Sequence, residues 1–133
     1  MLRNVFSWTL VIPVFVLAFA LLAPAHAAEK PMKLAHNVYF SLQDASPAAQ
    51  ERLVAACQKY LKQHQGVVFF AAGTLAQEFT RDVNDRDFHV ALHLVFATKA
   101  DHDRYQDHPE HQKFIQEQKG NWAKVRVFDS YVE

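Results

Sequence analysis

Apolar and polar residues alternate along several stretches of the chain, and in others the apolar ones recur at helical spacing. His36-Asn37-Val38-Tyr39-Phe40-Ser41-Leu42 alternates and predicts a first strand. One face carries His36, Val38, Phe40 and Leu42; the other carries Asn37, Tyr39 and Ser41. Ser46-Pro47 then predicts a helix start, with serine as N-cap and proline at the first position. Leu53, Cys57, Tyr60, Leu61 and His64 form the buried stripe of a helix running to about His64, closed by Gly66 as a left-handed C-terminal residue. The β-branched and aromatic run from Val67 to about Leu75 predicts a second strand. Gln77 to Asp87 reads as a solvated hairpin connection, because the glycine and terminal glutamate of a calcium loop are missing. Phe88 to Ala97 predicts a third strand, with Phe88, Val90, Leu92, Leu94 and Phe96 on one side. Thr98 and Asp101 resemble a capping box opening a short helix through Tyr105. Asp107-His108-Pro109 breaks it before a second helical piece ending near Gly120, and Val125 to Val132 is the last strand.

The order strand, helix, two strands, helix, strand predicts an α+β, ferredoxin-like βαββαβ protomer. One antiparallel sheet carries the helices on one face. The apolar set with Val38, Phe40, Leu92 and Leu94 belongs under the helices. Tyr39, His93, Val95 and Phe128 are then exposed in a monomer, and such a patch predicts a homodimer whose sheets pack face to face.

Residues 1–27 stand outside this pattern. Arg3, the apolar run from Val5 to Leu22 and Pro24-Ala25-His26-Ala27 predict a signal peptide cleaved after Ala27. The rival is an uncleaved anchor, since the run is nearly long enough to span a bilayer; only then is a membrane a partner. Either way the protein is expected to be exported, periplasmic or secreted. Residues 28–33 form a short leader and 34–133 a single domain.

Composition narrows the function. The chain has 14 basic and 14 acidic residues, so without Arg3 the balance is 13 against 14. That gives no electrostatic argument for nucleic acid or for an anionic membrane surface. Cys57 is the only cysteine, which excludes an internal disulfide and leaves stability to packing or a partner subunit.

Candidate chemistry concentrates between Tyr105 and Trp122. His108 precedes Pro109, suits an N-cap, and reads mainly as structural. His111 falls in the first turn, where the helix dipole disfavours an imidazolium and leans the ring toward a neutral base. Tyr105 suits a hydrogen bond to a substrate carbonyl. Phe114, Ile115 and Trp122 wall a pocket or fill the core. His102, His108 and His111 lie close in sequence, but no H-x-x-x-H pair with a helical glutamate exists, so no metal is expected.

The motif His36-Asn37-Val38-Tyr39-Phe40, the strand Asp87-Phe88-His89-Val90-Ala91-Leu92, Tyr105-x-x-His108-Pro109-x-His111-x-x-Phe114 and the closing Val125-Arg126-Val127-Phe128-Asp129-Ser130 together resemble the stress-responsive dimeric A/B-barrel domain. The likeness runs from Lys33 to Glu133. It implies a homodimeric α/β barrel, a cavity between helices and sheet, and no obligatory metal or organic cofactor. A plant branch of that family cyclises linear polyketides with a tyrosine and a histidine from the matching segment. Those correspond to Tyr105 and His111, with His36 beside them, although export separates this chain from a cytoplasmic polyketide substrate. The expected cavity lining is Val38, Phe40, Leu92, Leu94, His108, Phe114, Ile115 and Trp122. The first functional expectation is a homodimeric module binding a small apolar molecule. The second is a cofactor-free acid–base enzyme of cyclase, isomerase or lyase type, using His111 and Tyr105.

Overall fold

The computed structural model describes residues 32–133, so the expected signal peptide and most of the leader lie outside the described residues. Strand β1 (Lys33–Leu42) is followed by helix α1 (Pro47–Leu61), strands β2 (Val67–Thr74) and β3 (Val90–Phe96), helices α2 (Lys99–Asp107) and α3 (Pro109–Gln118), a single 3₁₀ turn and strand β4 (Trp122–Val132). The four strands form one antiparallel sheet in the order β2-β3-β1-β4, with β1 and β3 central. The expected ferredoxin-like α+β topology is therefore present, with its second helix broken in two.

Local chemistry accounts for the helix ends. Ser46 Oγ accepts the Ala49 amide at 3.3 Å with Pro47 at the first position, and Thr98 Oγ1 accepts the Asp101 amide at 3.1 Å. His108 ends α2 in extended backbone, as a residue before proline should, and its Nδ1 accepts the Glu110 amide at 3.2 Å to cap α3.

Some boundaries differ from the pattern. α1 stops at Leu61, not His64, and His64 is folded back in a turn that lets its Nε2–H donate to the Tyr60 carbonyl. Gly66 does have a positive φ, 85°, but it sits in the turn entering β2 rather than closing the helix. A Cβ there would collide with the Asp101 side chain, so both the backbone angle and the space demand glycine. β3 begins at Val90, although the His89 main chain still bonds both neighbours, its N–H donating to the Phe40 carbonyl at 2.8 Å and its carbonyl accepting from Leu75 at 3.1 Å. Its side-chain Nδ1 also accepts the Leu42 amide at 2.8 Å. β4 begins earlier, at Trp122, which pairs with Leu42 across a register shift.

The sheet's two faces differ as the alternation predicts, except that Phe88, expected beside Val90, lies before the strand and packs against Tyr39 on the open face. Leu34, Val38, Phe40 and Leu42 of β1 and Val90, Leu92, Leu94 and Phe96 of β3 pack beneath Leu53, Cys57, Tyr60 and Leu61 of α1, Tyr105 of α2 and Phe114 of α3. Burying a ring such as Phe40 contributes about 2–3 kcal/mol. Cys57 is fully buried, and desolvation pushes its thiol up to about 12, which leaves it an inert core group. The Tyr60 hydroxyl donates to Glu117 at 2.7 Å and ties α1 to α3. On the open face Tyr39 meets Phe88, His93 and Phe128 edge-on, with centroids 4.9, 5.8 and 5.7 Å away. Phe128 remains 54% exposed there.

The connection from β2 to β3 is solvated but anchored. Arg126 donates to Asp85 at 2.6 Å and Lys124 to Asp87 at 2.8 Å, so β4 holds the far end of the loop. At the edge of the sheet the pairing of β2 with β3 shifts register between Val67 and Phe69.

Candidate functional site

The helix-covered face of the sheet and the paired helices α2 and α3 leave a cavity of about 410 Å³. From the sheet it is lined by His36, Val38, Phe40, Leu92, Val125, Val127 and Asp129, and from above by Leu61, His102, Tyr105, Gln106, His111, Phe114 and Ile115, with Trp122 at one end. The volume suits a small organic molecule. A cavity of about 390 Å³ on the open face, beside Tyr39 and Arg126, lacks converging histidines.

Strand register places the polar corner. His36 lies directly opposite Asp129 on β4, and Nδ1 of the imidazole contacts Oδ1 of the carboxylate at 2.6 Å. With Asp129 ionised, Nδ1–H donates and Nε2 keeps its lone pair. The His36 ring is 5% exposed, and burial lowers its pKa, partly offset by the hydrogen bond to Asp129.

The helix break positions the other two groups. Tyr105, in the last turn of α2, is buried, and desolvation raises its phenol pKa well above the ordinary value, so it stays protonated as a donor. Among the described residues no side-chain hydrogen bond engages that phenol. His111, in the first turn of α3, stacks obliquely on Tyr105 with centroids 4.4 Å apart. Its Nδ1–H donates to the Gln106 carbonyl at 3.0 Å, leaving Nε2 unprotonated. Burial lowers this pKa too, the bond to Gln106 opposing it in part. The corner thus holds two neutral imidazoles with free acceptor nitrogens, a protonated phenol and a carboxylate. Such a set can accept a proton at one point of a bound molecule and donate one at another.

Tyr105, His111 and His36 converge as expected, and Val38, Phe40, Leu92, Phe114, Ile115 and Trp122 line the cavity. Two expected lining residues lie elsewhere. Leu94 is fully buried in the core because it faces Phe70 and His36 across the two ladders. His108 faces the other side of Tyr105, with its ring 4.6 Å from His64, because capping α3 turns it away.

Sequence reasoning missed Asp129 and His102. Asp129 had a signal: β4 carries Val125, Val127, Asp129 and Tyr131 on its helix-side face, and a lone carboxylate in that row is out of pattern. His102 reaches His36, with ring centroids 5.1 Å apart, rather than its sequence neighbours His108 and His111. One donor atom each from His36, His102 and Asp129 lie within 4.8 Å of one another, the set in this site with metal-ligand chemistry.

Known structures share this architecture. A ferredoxin-like protein of the same family from Mesorhizobium loti is 26% identical, with a TM-score of 0.63 over 77% of this chain and 98% of its own. A dimeric ferredoxin-like protein of unknown function from Thermobifida fusca is 17% identical, with a TM-score of 0.65 over 77% of this chain and 93% of its own. The hydroxynitrile lyase of Passiflora edulis is 19% identical, with a TM-score of 0.63 over 77% and 95%. The last two likenesses are likenesses of fold. No curated protein sequence matches the chain. The sequence profile described as the stress responsive A/B barrel domain matches residues 34–132, and the chain belongs to that family.

Proposed function

We propose that this chain is a cofactor-independent acid–base enzyme acting on a small, largely apolar carbonyl compound. The observation that carries the reading is the His36–Asp129 pair opening onto a cavity that also holds Tyr105 and His111. In the proposed step, His36 Nε2 takes a proton from the carbon beside the carbonyl. Asp129 stabilises the imidazolium that forms, and the Tyr105 hydroxyl donates to the developing enolate oxygen. The imidazolium then returns the proton to another carbon of the enolate, which completes an isomerisation. In a cyclisation the enolate carbon instead bonds a second carbonyl carbon of the same molecule, whose C=O π bond opens, and the imidazolium protonates the resulting alkoxide. His111 is the second base, held in one tautomer by Gln106. The apolar walls select the body of the substrate and leave its carbonyl at the polar corner.

The sequence favoured binding without chemistry, and the apolar walls still support that second reading. The carboxylate behind His36 moves the preference to catalysis, since a pure binding pocket has no need of an oriented base. A panel of small apolar ketones and aldehydes, followed by proton–deuterium exchange at the α-carbon, tests the proposal. Exchange lost in His36→Ala and retained in His64→Ala supports it. Binding of a panel member with no exchange in the wild type replaces it with the second reading.

The same proposal includes a homodimer through the open sheet face, supported by Tyr39, His93 and Phe128 there and by the dimeric state of the similar protein from Thermobifida fusca. Export is also part of it, supported by the apolar run from Val5 to Leu22 and the small residues after it.

A further inference from the structure

We propose that His36, His102 and Asp129 together bind one divalent transition-metal ion per protomer. The three donors come from three elements, β1, α2 and β4, so the site exists only in the folded chain. They lie within 4.8 Å of one another. An ion bonded at about 2.1 Å to each donor in tetrahedral geometry sets them about 3.4 Å apart, so His36 Nδ1 and Asp129 Oδ1 must part from 2.6 Å while the widest donor separation closes by up to roughly 1.4 Å.

Two imidazoles and one carboxylate favour zinc or ferrous iron over magnesium or calcium, which prefer all-oxygen shells. Three protein ligands also leave a coordination position for an exchangeable group, and all three residues line the cavity. His102 presents Nε2 as its unprotonated nitrogen, and an ion there displaces the Gln106 amide that now donates to it. The ring's Nδ1 faces the Asp103 carboxylate at 3.3 Å, and its Nε2 accepts from the Gln106 amide at 3.0 Å, so Nε2 carries the lone pair. A carboxylate behind a ligating imidazole is the usual outer-shell support of such a site. At His36 the ion replaces the proton held between Nδ1 and Asp129.

Metal binding goes beyond the proton-transfer reading and does not depend on it, because His102 has no part in that step. A metal-bound protomer has lost the His36–Asp129 proton, so the two uses of the corner exclude each other. Loading the site would switch the acid–base chemistry off.

Purified protein stripped with a chelator is titrated with zinc chloride by calorimetry and with cobalt chloride by visible absorption. Expected are one ion per protomer, a visible cobalt ligand-field band, and affinity at least tenfold weaker in both His102→Ala and Asp129→Asn. His64→Ala, at the His108 side of Tyr105, retains wild-type affinity. Circular dichroism of each variant separates loss of ligand from loss of fold, and Asp129→Asn keeps the side-chain shape. Absence of heat and of a cobalt band in the wild type overturns the proposal, as does undiminished affinity in His102→Ala and Asp129→Asn. Neither result bears on proton exchange at carbon, so the two readings fail separately.

Discussion

His36 and Asn37 are consecutive in β1 and look to opposite sides of one sheet. Each bonds a side chain directly across a ladder: His36 meets Asp129 of β4 on the helix side, and Asn37 meets His93 of β3 at 2.7 Å on the open side. Both pairs contain an imidazole whose pKa burial lowers. The partner makes the difference. A carboxylate can stabilise a positive ring formed in passing, whereas a neutral amide only fixes its tautomer. Residue type alone does not mark a chemical histidine; the face it occupies and the charge opposite it do.

The largest expected effect comes from making the first pair resemble the second. Asp129→Asn should lower turnover of an identified substrate by about 10²–10⁴-fold while leaving its binding nearly intact. Steady-state kinetics check this, and unchanged turnover would return the cavity to a binding role. The reverse change, Asn37→Asp, should raise the His93 pKa, readable by NMR titration, without creating activity on the open face.

The faces should also differ in what their aromatic rings contribute. Phe40→Ala is expected to cost about 3–5 kcal/mol in denaturant unfolding, because its ring is buried beneath the helices. Phe128→Ala should cost under about 1 kcal/mol within a protomer, since its ring is half exposed. Tyr39→Asp places a charge at the centre of the open face. Light scattering should show its mass halved relative to the wild-type dimer, and a wild-type monomer would remove the reason for that apolar face.

The smallest effect is one of pH. His36, His93 and His111 all titrate lower in the folded chain than the ordinary value of 6.5. Below that pH the unfolded chain binds protons that the folded one refuses. Stability is therefore full above 6.5 and declines as pH falls toward the folded-state values. Urea midpoints across that range should fall with acidification, and a flat profile would mean that these rings are not buried in solution.

What could be read from sequence followed from how local the cause was. Ser46-Pro47 and His108-Pro109 declare their helix starts within two residues, and the alternation in β1 and β3 assigns each side chain its face. The end of α1 was misread because Tyr60, Leu61 and His64 continue a helical spacing, whereas His64 is turned inward after the helix by its bond to a main-chain carbonyl. Asp129 escaped notice because its partner lies 93 residues away, and only the β1–β4 register brings the two together. His102 was grouped with its chain neighbours, although the helix carries it over His36 instead.

The register shift at the start of β2 has a consequence for assembly. β2 is an edge strand opening with Val67-Val68-Phe69-Phe70, and Val68 and Phe69 are exposed. A straight edge of that composition is a template on which another chain's strand can grow, and growth of that kind does not close. The bulge spoils the even row of amides and carbonyls and twists the edge out of line. In the proposed dimer copies meet instead through the sheet's face, where a two-fold pair is complete after two, and straightening that bulge should trade a finite assembly for a filament.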